Sequence, residues 1–267
     1  MRSTPGVIAC SALYPDIERF APVADIHYVP QELHEFPANV PDEHAIRSAI
    51  QSAIDSLDTA ERDRIYLYYA NSSSLGPFTT AHASIIHAPV IDCIDVLLDR
   101  PIDERTGETK TPETYYHSRG TIDSGVDAYK LYTAYTGEVD ELIEWFHRAR
   151  ALNPDLRITW PEGERFKETA ERGRLRPATG IDQVFSEIVG GFNRVCLIDT
   201  GSLTEFHLEY ANRFCRFLES LPDGRDESRS VALTHIDGDI SLFEALRGEQ
   251  SLDELVDDGF HIERPNP

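Results

Sequence analysis

Three side chains far apart in the sequence are the best candidates for shared chemistry: Cys10, His34 and Cys93. Cys10 closes the apolar run Gly6-Val7-Ile8-Ala9. Cys93 follows Asp92 at the start of a stretch with Ile94, Val96, Leu97 and Leu98. Both thiols therefore fall at strand–helix junctions, where backbone N–H groups and the positive end of a helix favour the thiolate. With the His34 imidazole they form a sulfur, sulfur, nitrogen set of the kind that holds zinc or another soft metal. Bound zinc would lower the pKa of a coordinated thiol or water. Plain packing also fits these residues, with Cys10 ending a buried strand, Cys93 starting a buried helix and His34 bonding a carbonyl in a turn. Cys196 lies inside an apolar run and Cys215 on an amphipathic one, so both read as core residues.

The strong local signatures are absent: no P-loop, G-x-G-x-x-G, G-x-S-x-G, H-E-x-x-H or C-x-x-C occurs. What remains is a constellation spread over several turns. Tyr69, Asn71 and Asp92 follow predicted strands and form the surroundings expected for a small ligand. Thr200-Gly201-Ser202 stands before a helix and could hold an anion on backbone N–H groups or cap the helix.

These turns need elements to place them. Strands are expected near 6–10, 25–30, 64–69, 84–88, 194–199 and 231–236, with a closing one near 259–262. Ile46, Ile50, Ile54 and Leu57 recur at helical spacing. Further helices are expected over 122–135, 139–152, 181–189 and 205–221, the last capped by Ser202 or Thr204. Alternating strands and helices predict an α/β fold, Rossmann-like, with mostly parallel sheet and helices on both faces. Residues 1–267 read as one α/β domain. It is either one continuous sheet or two related lobes, about 6–100 and 181–264, bridged by a helical segment 113–152 and an irregular insertion 153–180. In such sheets ligands bind at the carboxyl ends of the strands.

The 267 residues carry 47 Asp+Glu against 25 Lys+Arg, a formal net charge of -22. This argues against a nucleic-acid partner and against an anionic membrane surface, both of which select Lys and Arg. No apolar run approaches the ~18 residues of a membrane span, and no secretory signal is visible. A cytoplasmic protein is expected, with a small-molecule ligand and a protein partner or a second copy as candidate partners. Only Lys110, Lys130 and Lys167 are lysines. This composition resembles that of salt-accumulating halophilic archaea, because near ~1 M salt the Debye length of roughly 3 Å screens surface carboxylates from one another. An ordinary acidic mesophilic protein is the alternative.

Several segments together resemble one prokaryotic family, the domain of unknown function 1638. They are Val7-Ile8-Ala9-Cys10, Gln31-Glu32-Leu33-His34-Glu35-Phe36-Pro37 and Ile91-Asp92-Cys93-Ile94-Asp95-Val96-Leu97-Leu98. Thr114-Tyr115-Tyr116, Val195-Cys196-Leu197-Ile198-Asp199-Thr200-Gly201 and Ile236-Asp237-Gly238-Asp239-Ile240-Ser241-Leu242 complete the series. The resemblance implies functional positions at Cys10, His34 and Cys93. It also implies a Cys in the turn after the third strand and a His before the Asp-Cys pair, where this chain has Asn71 and Ile91. Some relatives accompany corrinoid-dependent methyl transfer, which implies one-carbon chemistry. The resemblance carries no defined activity. Two expectations follow: a small-ligand or metal site at the strand ends, or an accessory binding protein whose site is partly lost.

Overall fold

The computed structural model describes residues 4–21, 24–29, 43–69, 72–90, 93–98, 113–124, 127–136, 138–154, 156, 180–222, 229–247 and 250–265. They group into two compact units. The first draws on residues within 4–29, 43–98 and 238–265, the second on 113–237. The lobe bounds expected from the sequence, 6–100 and 181–264, differ from this division. Residues 238–265 group with the first unit, and 113–152 are part of the second instead of bridging the two.

In the first unit β1 (Gly6–Cys10) is buried at every position. It is apolar throughout because it has strands on both sides and helices over the sheet. β2 (Asp25–Val29) and β3 (Arg64–Tyr68) pair with it in parallel, with Gly6 opposite Asp25 and Ile65. β4 (Ser84–His87) pairs in parallel with β3, and Leu67 lies opposite His87. The closing strand, β8 (His261–Glu263), joins β4 antiparallel, with His87 opposite His261. The order is β2-β1-β3-β4-β8. The connections include α1 (Tyr14–Phe20), which carries Pro15 in its first turn, and α2 (Glu43–Leu57). Ile46, Ile50, Ile54 and Leu57 of α2 are all buried, as their spacing predicts. α3 (Ser72–Leu75) and α4 (Cys93–Val96) are single turns, so the helix expected after Asp92 is short. A 3-10 segment, Ser241–Arg247, starts where Asp239 Oδ1 accepts from Ser241 N at 2.8 Å.

The second unit holds the parallel sheet β5-β6-β7, formed by Thr114–Ser118, Arg194–Asp199 and Ala232–Asp237. β5 was not expected as a strand. The helix expected over 122–135 is two helices, α5 (Arg119–Ser124) and α6 (Ala128–Thr136). Asp127 makes the break, its Oδ1 accepting from Lys130 N at 2.9 Å as an N-cap does. α7 (Val139–Leu152), α8 (Ile181–Val189) and α9 (Glu205–Ser220) complete the layer. Phe206, Tyr210, Phe214 and Phe217 of α9 are buried in an aromatic core with Trp145, Phe146, Phe185 and Tyr115. The Tyr115 and Phe214 rings are 4.6 Å apart, and Trp145 and Phe206 4.7 Å. Each such buried side chain contributes roughly 1.5–3 kcal/mol of transfer free energy. A last helix, α10 (Leu252–Asp257) in the first unit, starts from a Ser251–Glu254 capping box. The whole is a mixed α/β fold with mostly parallel sheets flanked by helices. Among the described residues no helix is long and apolar enough to cross a membrane.

Candidate functional site at the carboxyl edge of the first sheet

In the first sheet the chain runs from β1 outward to β2, then returns past β1 to β3. The order therefore reverses between β1 and β3, and in open α/β sheets the crevice outside the strand ends at such a point is the usual ligand site. Cys10 is the last residue of β1, and Tyr69 follows the last residue of β3. Burial holds the Tyr69 phenol well above its ordinary pKa, and negative charge on Cys10 or Cys93 would hold it higher still. A thiolate at either position would therefore reach the same phenol, although 83 residues separate the two cysteines in the chain. Cys10 is buried, with its Sγ accepting from Ala12 N at 3.4 Å, and Cys93 is half-buried. None of the four cysteines forms a disulfide. His34, Asn71 and Asp92 lie outside the described residues.

Thr200 and Gly201 fall in the second unit, at the end of β6. Gly201 adopts φ +82°, a conformation natural for glycine, and its N–H donates to Asp199 Oδ1 at 2.7 Å. Thr200 Oγ1 lies 3.1 Å from Ser202 Oγ. The turn thus satisfies itself through Asp199, and Thr204, not Ser202, is the N-cap residue of α9.

Beside the thiols stands a group that sequence reasoning missed. Ser72 opens α3, directly after the turn from β3, with its N–H on Tyr69 O at 3.1 Å. Its Oγ is 2.9 Å from Nδ1 of His87, the last residue of β4. The other ring nitrogen, Nε2, lies 3.2 Å from Glu263 Oε1 on β8, close enough for attraction although not in line for a full hydrogen bond. Glu263 Oε2 accepts from Phe78 N at 2.9 Å. A Cβ at Gly76 would come within 2.5 Å of Glu263 Oε1, so glycine lets the carboxylate lie there. Ser72 and His87 are 2% and 1% exposed. Burial lowers the His87 pKa, Glu263 opposes this, and His261 adds to the lowering. A neutral ring with a carboxylate at Nε2 carries its proton there and accepts from the Ser72 hydroxyl at Nδ1. The available signal was His87 itself, a polar side chain ending the buried run Ser84-Ile85-Ile86.

The second unit contains a similar line of groups. His207 Nδ1 is 2.9 Å from Thr204 Oγ1, and Nε2 is 3.1 Å from Asp123 Oδ1. Here Nδ1 also accepts from Thr204 N at 2.9 Å, so His207 plays the part that Glu or Gln takes in a capping box. Asp123 also bonds Arg119 Nε at 3.3 Å. Nearby, Tyr210 donates to Asp127 Oδ2 at 2.5 Å, and buried Lys130 donates to Ile122 O. His117 is fully enclosed among Tyr115, Tyr210 and Phe214, and neither of its ring nitrogens has a hydrogen-bond partner among the described residues. Burial pushes its pKa down to about 4, despite the opposing pull of Asp127. A groove of about 670 Å³ runs along α9 and β7, bordered by Glu205, Leu208, Glu209, Arg216 and Leu233. Cys215 in that groove has its thiol pushed up to about 11, chiefly by burial, which makes it a poor nucleophile at neutral pH.

The sequence model of the family described as "Protein of unknown function (DUF1638)" matches residues 28–225. The chain belongs to the DUF1638 family. No curated protein and no solved structure matches it. Within the DUF1638 chain the described residues supply two thiols near Tyr69. Among those residues no group of three or more His, Cys, Asp or Glu side chains is arranged to hold a metal ion. The two sulfur donors alone fall short of the three or four protein ligands of a zinc site.

Proposed function

We propose that the carboxyl edge of the first sheet binds a small ligand, with Cys10 and Cys93 as its soft donors and Tyr69, Asn71 and Asp92 around them. The supporting observation is that Cys10 and Tyr69 stand at the ends of β1 and β3, where strand order reverses, with Cys93 within electrostatic reach of the same phenol. His34 would be the third donor in a zinc-holding form of this site. One-carbon or methylthiol chemistry suits thiol donors and is the reaction class proposed for it. Thr200 and Gly201, in the second unit, are the remaining proposed ligand-binding residues. Their turn is an anion-binding candidate, which phosphate titration of the second unit's amide resonances would test.

The test is native mass spectrometry with elemental analysis of protein purified in high salt without chelator. The expected result is a bound species or close to one zinc per chain, lost in both Cys10→Ser and Cys93→Ser. Less than about 0.1 zinc per chain removes the zinc form. An adduct-free mass in the wild type removes the ligand site altogether.

A second reading has its own support. Asn71 and Ile91 stand where the family resemblance implies Cys and His, which suits an accessory protein of a methyl-transfer system. Co-purification of one defined partner from native cells, unaffected by Cys10→Ser, would favour it. The acidic surplus is proposed as adaptation to a salty interior, and Tm should then rise as KCl is raised from ~0.1 to ~3 M.

A further inference from the structure

The line Ser72–His87–Glu263 has the parts of an activated nucleophile: a hydroxyl, a base within hydrogen-bond reach and a third group beside the base's far nitrogen. Its position agrees with such a role, since Ser72 follows β3 and His87 ends β4, both at the carboxyl edge of the first sheet. The Thr204–His207–Asp123 line is a control within the same molecule. There the imidazole is needed by a helix start, because Nδ1 takes the Thr204 N–H. At His87 no backbone group bonds either ring nitrogen among the described residues. The polar side-chain contacts of Ser72, His87 and Glu263 run to one another and, through Glu263 Oε2, to Phe78 N. Nothing in helix or strand formation requires them. Glu263 is itself held in place by Phe78 N and by the space left at Gly76.

We infer that Ser72 is a nucleophile for acyl transfer, with His87 as its base and Glu263 as the positioning residue. The substrate class is a small uncharged ester. Ser72 and His87 are only 2% and 1% exposed, which favours the smallest acyl groups, and Glu263 disfavours an anionic one. In the first step Ser72 Oγ bonds the carbonyl carbon while its proton passes to His87 Nδ1. The proton then goes to the departing alkoxide as the ester C–O bond breaks. Water attacks the acyl-serine, again losing a proton to Nδ1. The acid leaves as Ser72 Oγ recovers that proton. No redox partner is required. The inference uses neither thiol, so it stands or falls separately from the ligand site above.

The experiment is labelling of the full chain in high salt with methanesulfonyl fluoride, a probe as small as the proposed acyl group, in which Ser72 Oγ would displace fluoride from sulfur. The expected result is one adduct by intact mass, mapped to the peptide containing Ser72. Its rate of formation should fall by about 100-fold or more in His87→Gln and by a smaller factor in Glu263→Gln. Circular dichroism would confirm that both variants are folded. Hydrolysis of p-nitrophenyl acetate should fall in parallel. An unlabelled wild-type chain, an adduct at another residue, or an adduct at Ser72 forming equally fast in His87→Gln would overturn the inference. The first two outcomes are read on the wild-type protein, so a variant that fails to fold does not protect the idea.

Discussion

Each unit of the molecule contains a hydroxyl, an imidazole and a carboxylate in line, with heavy-atom separations between 2.9 and 3.2 Å. In the second unit the line closes a helix start. Thr204 is the N-cap residue, His207 its reciprocal partner, and Asp123 holds the remaining ring proton with Arg119 beside it. In the first unit Ser72, His87 and Glu263 make similar contacts without serving any helix end or strand pairing. Three residues in line are thus not evidence of chemistry by themselves. What separates the two lines is whether local structure already accounts for each ring nitrogen.

The contrast is sharpest in stability. His207→Ala should destabilise the second unit by about 3–5 kcal/mol, because it strips a partner from the buried Asp123 carboxylate. Urea unfolding followed by tryptophan fluorescence, with Trp160 replaced by Phe so that Trp145 alone reports, would measure this. His87→Ala should cost the first unit clearly less, since Glu263 keeps Phe78 N and some exposure to water. Equal losses would mean that both lines are structural. His117 gives the next largest effect, through pH. Its folded pKa of about 4 lies below the ordinary 6.5. As pH falls below 6.5 the unfolded chain takes up the proton first, so stability should drop between pH 6.5 and 4 by about 3 kcal/mol and then level off. His117→Leu should remove that slope and, at pH 7, stabilise the second unit by about 1–3 kcal/mol by removing two unpaired ring nitrogens. A variant with the wild-type pH profile would mean that His117 has a partner. Thr204→Ala should cost about 1 kcal/mol as the loss of a cap. Ser72→Ala should cost about 1 kcal/mol or less while abolishing sulfonyl fluoride labelling, the reverse of the pattern at Thr204.

Periodicity made much of the fold legible. The α2 stripe, the buried β1 and the α/β alternation all follow from residue spacing. β5 escaped because Thr-Tyr-Tyr-His-Ser lacks an aliphatic run. It is a strand because the aromatic face of α9, with Phe214 against Tyr115, covers it. The split between α5 and α6 depends on one carboxylate, Asp127, folding back onto Lys130 N. The strand-edge rule pointed to Cys10, Tyr69 and Cys93 as candidates. It could not find Ser72–His87–Glu263, because the carboxylate arrives on an antiparallel strand whose register no local pattern encodes.

The order in which the chain is made gives the division into units one more consequence. The carboxylate of the serine line comes from β8, and residues 113–237 of the second unit are synthesised before it. During synthesis Ser72 and His87 can meet early, yet the pair stays without Glu263 until the whole second unit has left the ribosome. A chain interrupted anywhere in that interval would carry the hydroxyl and the imidazole but not their acid. The full activity of the line would therefore be reached only after the second unit had been made.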